Sequence, residues 1–336
     1  MQQHVPAALR SANEMLTYIT RRILYSVPTL FLSSFLSFMF VSLAGDPVAQ
    51  LRQNPSFSVV TQHHLEHRYH LDAPLVVRYW YWLEDAFAHK LGTSLTTLQP
   101  VWPDITRTLG HTTQVILLSE CLALIVGIGI GVYSAVRQYS FFDYVGTSLS
   151  FLGYAMPTFW LALLLQIVFV DVYLRWHVRN FYTSGLNSSL DGSAWSIDRL
   201  QHIALPVMTL CIISLALYSR YMRAAMLDVI NSEYVRTARA KGLSEWKVIS
   251  RHVFRNALIP IVTVAALNVG GLLGGAIVTE TVFSLDGIGF YFVTKLGNLD
   301  LYAVMAYLMV TGVIVIGFNL FADIAYGFLD PRIRYH

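Results

Sequence analysis

The sequence predicts an all-α integral membrane protein with six transmembrane helices and an extracytoplasmic segment between the first and second. Three observations carry this. Aliphatic, aromatic and cysteine residues make up 55% of the 336, and charged residues only 13%, about half the share of a soluble domain. Six long runs hold almost no charge: Leu24–Gly45, His111–Val136 (broken only by Glu120), Tyr144–Val170, Ile203–Ser219, Asn256–Thr279 and Leu301–Ala322. Roughly 20 apolar residues cross a bilayer, so each run is a span, the fourth being the shortest. Finally, with both termini inside, the four inner segments hold 14 Lys and Arg against 9 in the three outer ones, which together are longer. Positive charge accumulates on the cytoplasmic side of membrane proteins.

Residues 1–20 are polar and mixed, and are expected as a disordered or surface-lying cytoplasmic tail. Arg21 and Arg22 then open the first span, 21–45. Leu43-Ala44-Gly45-Asp46 lacks the small-x-small pattern of a cleaved leader, so this span is expected to be retained. Residues 46–110 are too long for a simple connection. Within them Val76, Tyr79, Trp80, Leu83 and Phe87 share one face of a helix expected over Pro74–Lys90. The rings of Tyr79-Trp80-Tyr81-Trp82 suit a membrane–water interface. A second helix is expected over Val59–His70.

Spans two and three, 111–136 and 144–170, join through a short turn at Arg137-Gln138. Pro157 kinks the third, either to shape a pathway or as plain packing. A polar outer loop, 171–202, leads to span four, 203–222, expected to continue as a helix toward Asp228. Residues 232–260 read as two short helices. Ser232 caps the first, Gly242 closes it in the left-handed conformation, and Ser244 and Glu245 start the second. By itself this stretch reads either as a solvated basic loop or as a docking surface. For docking, Ala238, Ala240 and Gly242 offer low relief between Arg236, Arg239 and Lys241. Span five, 257–279, carries Gly270, Gly271, Gly274 and Gly275, a small-residue face suited to close packing. Glu280–Asp300 is expected to hold a turn at Asp286-Gly287 and a short helix over Phe290–Lys295. Span six, 301–322, and a cytoplasmic end, 331–336, complete the chain.

The motifs exclude several chemistries. The sequence has no phosphate-binding loop, no Gly-x-Ser-x-Gly elbow and no His-Glu-x-x-His site. The chain is therefore not expected to hydrolyse ATP or act as an enzyme. A net charge of +3 does not suggest nucleic acid. Cys121 and Cys211 both lie in spans and read as apolar filler. Few carboxylates lie mid-membrane, which disfavours a proton- or sodium-driven carrier. Glu120 reads either as a functional group or as a structural hydrogen-bonding one. His63, His67 and His70 share a helix face; no metal is expected there, the exposed His-rich helix being the leading reading and a metal site the other.

Several stretches carry a resemblance. They are Glu233-Tyr234-Val235-Arg236-Thr237-Ala238-Arg239-Ala240-Lys241-Gly242-Leu243, Arg251-His252, and Arg255-Asn256-Ala257-Leu258-Ile259-Pro260. Outside the loop they are Ala44-Gly45-Asp46-Pro47, Leu91-Gly92-Thr93-Ser94, Pro157-Thr158-Phe159-Trp160-Leu161, Thr279-Glu280-Thr281-Val282-Phe283, Asp286-Gly287-Ile288-Gly289 and Leu329-Asp330-Pro331-Arg332-Ile333-Arg334-Tyr335. Together they resemble the ABC importer permeases of the dipeptide, oligopeptide and nickel branch, and among them the first of the two paired permeases. The 18 residues from Gly242 to Pro260 match that branch rather than the general form. Ser284-Leu285-Asp286 departs from the family pattern, and the N-terminal tail is longer.

The resemblance implies a type I ABC importer permease fold, with residues 111–330 as its core, in a bacterial cytoplasmic (inner) membrane. It implies a heterodimer with a second permease subunit, two cytoplasmic ATPases carrying ATP and magnesium, and an external solute-binding protein. No cofactor is expected on this chain. The 232–260 loop would couple to an ATPase through Glu233, Tyr234, Arg236, Thr237, Ala238, Arg239, Ala240, Lys241 and Gly242. Pro157, Glu280, Asp286, Gly287 and Gly289 become candidate pathway or gate positions. The implied solute is a di- or oligopeptide, with nickel or another small solute as the alternative and an ion-coupled carrier as the more distant one.

Overall fold

The computed structural model describes residues 7–44, 67, 70, 72–88, 91–178, 181–188 and 195–329. Their regular structure is helix, with one isolated bridge between Thr93 and Pro100. In chain order the helices are α1 (Ala7–Ala44), α2 (Leu75–Ala88), α3 (Val101–Val136), α4 (Phe141–Ala155), α5 (Thr158–Trp176), α6 (Ile197–Ile230), α7 (Glu233–Ala240), α8 (Glu245–Val282), α9 (Ile288–Gly297) and α10 (Leu301–Leu329). Six of these, α1, α3, α5, α6, α8 and α10, are long and apolar enough to cross a membrane. The described residues divide into two compact units, one drawn from Met1–Thr112 and Asp286–Ile316, the other from Thr113–Leu285 and Gly317–His336.

In the first unit, α1 is already helical from Ala7, where a disordered or surface-lying tail was expected. At 1.5 Å per residue its 38 residues run about 57 Å, well beyond the apolar core of a bilayer. Its inner face holds α2. The Tyr79 hydroxyl and the Ser34 hydroxyl bond at 2.8 Å. The rings of Phe31, Phe35 and Phe38 meet Tyr79 edge-on. The core is completed by Trp82, Leu95, Leu301, Tyr302 and Met305. The buried face of α2 therefore runs through Leu75, Tyr79, Trp82, Leu83 and Ala86. Val76, Trp80 and Phe87, expected on that face, are exposed. Hydrophobicity alone misplaces this stripe because the consecutive rings of Tyr79-Trp80-Tyr81-Trp82 put an aromatic on every side of α2.

A turn over Leu91–Pro100 is locked against the start of α10. Gly92 sits at φ +83, and a Cβ there would lie 2.5 Å from the Tyr302 ring, so only glycine fits. Asp300 is fully buried and gathers this turn. It accepts from the Ser94 hydroxyl at 2.5 Å, the Thr96 hydroxyl at 2.7 Å and the Leu95 N–H at 3.0 Å, and it pairs with Lys295 at 3.2 Å. Burial by itself would raise the Asp300 carboxyl. The hydrogen bonds and Lys295 outweigh that and hold it below its ordinary value.

The second unit differs from expectation in two places. The run expected as one kinked span over 144–170 is two helices, α4 and α5. Met156 (ψ 128) and Pro157 (ψ 137) are both extended. Proline lacks the N–H that would continue α4 and disfavours helical geometry in the residue before it. The 15 residues of α4 reach about 22 Å and do not span a bilayer, so α5 is the candidate span. The second departure is α8. The helix expected to end before span five instead continues into it, through a π stretch at Val248–Phe254 and past Pro260. Span four, as expected, continues well beyond residue 222 as α6, to Ile230.

Candidate functional site

The stretch with most local definition is α7 and the start of α8. Ser232 has extended backbone, and its carbonyl accepts from the N–H groups of Val235 and Arg236, both at 3.1 Å. Its hydroxyl, expected to cap the helix, is buried and has no hydrogen-bond partner among the described residues. Glu233 in the first turn and Arg239 in the last complement the helix dipole. Gly242 ends the element at φ +77, its N–H donating to the Arg239 carbonyl at 2.9 Å. A side chain at Gly242 would meet open space.

One face of α7 turns into the chain. Val235 and Ala238 pack among Met222, Met226, Val248, Val253 and Ala257. Ala238 is only 6% exposed. It was expected as part of the docking face, and it is instead part of this core, because residues three apart share a helix face. Arg239 fastens the opposite end. Its Nη2 and Nε lie 2.7 and 3.1 Å from the two Glu245 oxygens, and its Nη1 donates to the Ile230 carbonyl at 3.4 Å. Asn256 donates to the Tyr234 hydroxyl at 3.1 Å. The outward face that remains holds Glu233, Tyr234, Arg236, Thr237, Ala240, Lys241 and Gly242. Leu243 and Trp246 extend it, Trp246 being 77% exposed. Neither was singled out from the sequence. The available signal was a tryptophan in a charge-rich stretch outside every apolar run.

The helices that carry this element are tied to one another by two polar centres. The guanidinium of Arg223 on α6 grips Asp143 on α4, with Nε and Nη2 at 2.7 and 2.9 Å from the two oxygens. Asp143 also accepts from the Tyr139 N–H and the Thr147 hydroxyl. The Arg223 hydrogen bonds hold the Asp143 carboxyl below the usual carboxylate range. Deeper in the unit, Glu120 on α3 accepts from the Tyr218 hydroxyl on α6 and from the Asn268 amide on α8 at 3.4 Å. Asn268 also donates to Ser214 at 3.0 Å. Three helices thus share one hydrogen-bonded centre, which agrees with the structural reading of Glu120.

The remaining candidate positions are separate features. Pro157 is exposed at the break between α4 and α5, and Glu280 is buried near the end of α8. Asp286 pairs with Arg107, and its carbonyl accepts from His111 Nδ1 at 2.6 Å. Gly287 precedes α9 in extended backbone, and the Ile288 N–H donates to Thr112 at 2.8 Å. Gly289 is buried in the first turn of α9. The left-handed residue of this turn is Ser284, at φ 50, rather than either glycine. Of the histidine cluster, His63 and His64 lie outside the described residues. His70 is left-handed at φ 52 and stacks on Tyr81 at 3.9 Å.

Comparison with known proteins adds the following. Residues 127–335 match the model of the binding-protein-dependent transport system inner membrane component. An oligopeptide transport system permease protein of Bacillus subtilis is 39% identical over 96% of this chain and 100% of its own length. A dipeptide transport system permease protein of Alkalihalophilus pseudofirmus is 35% identical over 96% and 100%. A di/tripeptide transport system permease protein of Pseudomonas aeruginosa is 37% identical over 96% and 99%.

Proposed function

The chain belongs to the binding-protein-dependent transport system inner membrane component family, and from that premise we propose that it imports di- or oligopeptides as one permease subunit of an ATP-driven transporter. The observation that carries the solute is end-to-end similarity, at 35–39% identity, to relatives named as oligopeptide and dipeptide permeases. The chain is a multi-pass membrane protein with the fold of the type I importer permeases. In this proposal it pairs with a second, related permease and lines half of the pathway. Two cytoplasmic ATPases bind ATP and magnesium, and an external binding protein delivers the peptide. The chain itself holds no cofactor and performs no catalysis. Both termini face the cytoplasm, in keeping with the excess of Lys and Arg on that side.

The outward face of α7, with Trp246, is the proposed seat for the ATPase. What supports this is its construction. A short helix is bolted to α6 and α8 by Val235, Ala238 and the Arg239–Glu245 pair, so a push on its surface moves both spans as a rigid body. Arg236 and Lys241 steer acidic groups of the partner. The Asp286–Gly289 turn is the proposed gate element of the first unit, and Pro157 and Glu280 are pathway positions of the second. Reconstitution in proteoliposomes with the second permease, both ATPases and the binding protein tests the whole. Uptake of a labelled dipeptide or oligopeptide should require ATP, this chain and the binding protein. Uptake driven by an ion gradient without ATP would sink the proposal.

A further inference from the structure

We infer that a cavity between α3, α4 and α6 binds the phosphodiester headgroup of a monoanionic membrane phospholipid. The cavity measures about 150 Å³. Ser134 lines it from α3, Gly146, Thr147 and Ser150 from α4, and Arg220 and Arg223 from α6.

Its polar groups are not equivalent. The hydroxyls of Ser150 and Ser219 bond each other at 2.7 Å, and Thr147 donates to Asp143. Arg223 is neutralised by Asp143. Two groups are left over. Ser134 is only 2% exposed, yet among the described residues its hydroxyl has no hydrogen-bond partner. A buried hydroxyl without a partner is costly, so a donor-seeking ligand is favoured there. Arg220 lies over the Tyr154 ring at 4.5 Å and the Phe151 ring at 5.7 Å. Among the described residues no carboxylate pairs with it. The cavity therefore offers one uncompensated positive charge and one free donor, which suits a single phosphodiester oxyanion.

The depth selects a lipid over a free anion. Ser134 is two residues from the end of α3, and Gly146 and Thr147 lie in the second turn of α4. One end of the cavity thus lies beside the polar turn that joins α3 to α4, the level expected for lipid phosphates, and Arg220 lines it further along α4, over Phe151 and Tyr154. Phe141, Phe142 and Tyr144, in the first turn of α4, are exposed, as aromatic residues are at a membrane interface. Basic pockets between membrane helices bind anionic headgroups by this chemistry.

The test titrates the purified full chain, with whatever subunits copurify, by native mass spectrometry. The probes are phosphatidylglycerol, phosphatidylcholine of the same acyl chains, and inorganic phosphate. Phosphatidylglycerol should bind about five-fold more tightly than phosphatidylcholine, the worth of one basic residue at a membrane surface. Arg220→Gln should abolish that preference. Gly146→Ala adds a methyl that would sit 3.4 Å from the Ser134 Oγ and from Ile130. It narrows the cavity without a clash, and should weaken phosphatidylglycerol binding while the melting temperature stays within a degree or two. Equal binding of the two lipids overturns the inference. So does an unchanged preference in Arg220→Gln, or displacement of phosphatidylglycerol by millimolar inorganic phosphate. If Arg220→Gln fails to fold, Gly146→Ala decides: full binding there overturns the inference, and weakened binding supports it.

Discussion

Replacing Gly242 by Asn and by Asp separates a structural turn from a docking surface. Gly242 lies at φ +77, where a residue with a Cβ pays about 1–2 kcal/mol, and less for Asn and Asp. The two side chains are nearly isosteric and tolerate this backbone alike, so strain cancels between them. Nothing lies within 4 Å of the added Cβ, so neither clashes. A carboxylate at the C-terminal end of α7 opposes the helix dipole by about 0.3–1 kcal/mol, and Lys241 offsets part of this, so folding explains at most about a five-fold loss specific to Asp. If this surface seats in an ATPase groove, Asp leaves an unpaired buried charge worth about 2–5 kcal/mol, and about 2 kcal/mol is already some 30-fold. A surface that touches nothing changes by less than about 0.5 kcal/mol. The assay is peptide-stimulated ATP hydrolysis and uptake in proteoliposomes holding the whole transporter. Gly242→Asn should stay within about five-fold of wild type, and Gly242→Asp should lose 30-fold or more in coupled uptake. Equal losses in both variants would assign the effect to strain, and wild-type coupling in both would refute docking here.

Other outcomes follow from the buried polar centres and the α7 face. Glu120→Leu leaves Tyr218 and Asn268 without their shared acceptor, and should cost about 2–3 kcal/mol in thermal unfolding. Glu120→Gln should keep both stability and uptake, and a normally melting Glu120→Gln variant without uptake would give Glu120 a titrating role instead. Arg223→Gln strands the buried Asp143 and should cost about 3 kcal/mol, more than half of it restored by adding Asp143→Asn. Because the folded Asp143 carboxyl lies below its ordinary value, this pair contributes fully above about pH 3.9 and is lost only as pH falls through the lower folded value. The melting gap between wild type and the double variant should therefore be flat from pH 5 to 8. Asp300→Asn removes the charge partner of Lys295 and loosens the Leu91–Pro100 turn, visible as hydrogen exchange about ten-fold faster at Leu95 and Leu98. Trp246→Ala should lower ATPase copurification about ten-fold, and unchanged copurification would remove Trp246 from the contact.

Much of the architecture was legible because it is written in run length. A bilayer demands about 20 apolar residues per crossing, and six such stretches announce themselves without any long-range information. Gly242 was legible for a similar reason, since a left-handed helix end favours glycine locally. The break at Met156-Pro157 was harder, because hydropathy continues unchanged across it while the backbone does not. The continuity of α8 was hidden by Pro260, which reads as a boundary yet sits inside a helix held by its neighbours.

The sequence by itself determined that this chain has six stretches long and apolar enough to cross a membrane, that no phosphate-binding-loop motif occurs in it, and that a compact basic element lies between its fourth and fifth spans. Those properties depend on local composition and spacing. Only the tertiary structure decided which face of that element is free. Ala238 and Val235 point inward because α6 and α8 close over them, and Trp246 points outward because none of the described residues covers it. It alone paired Asp143 with Arg223, 80 residues apart, and Glu120 with Asn268, 148 apart. It also left, among the described residues, the Ser134 hydroxyl without a hydrogen-bond partner and Arg220 without a carboxylate beside one cavity. Pairing across such distances is set by how helices pack, and no local pattern of residues encodes it.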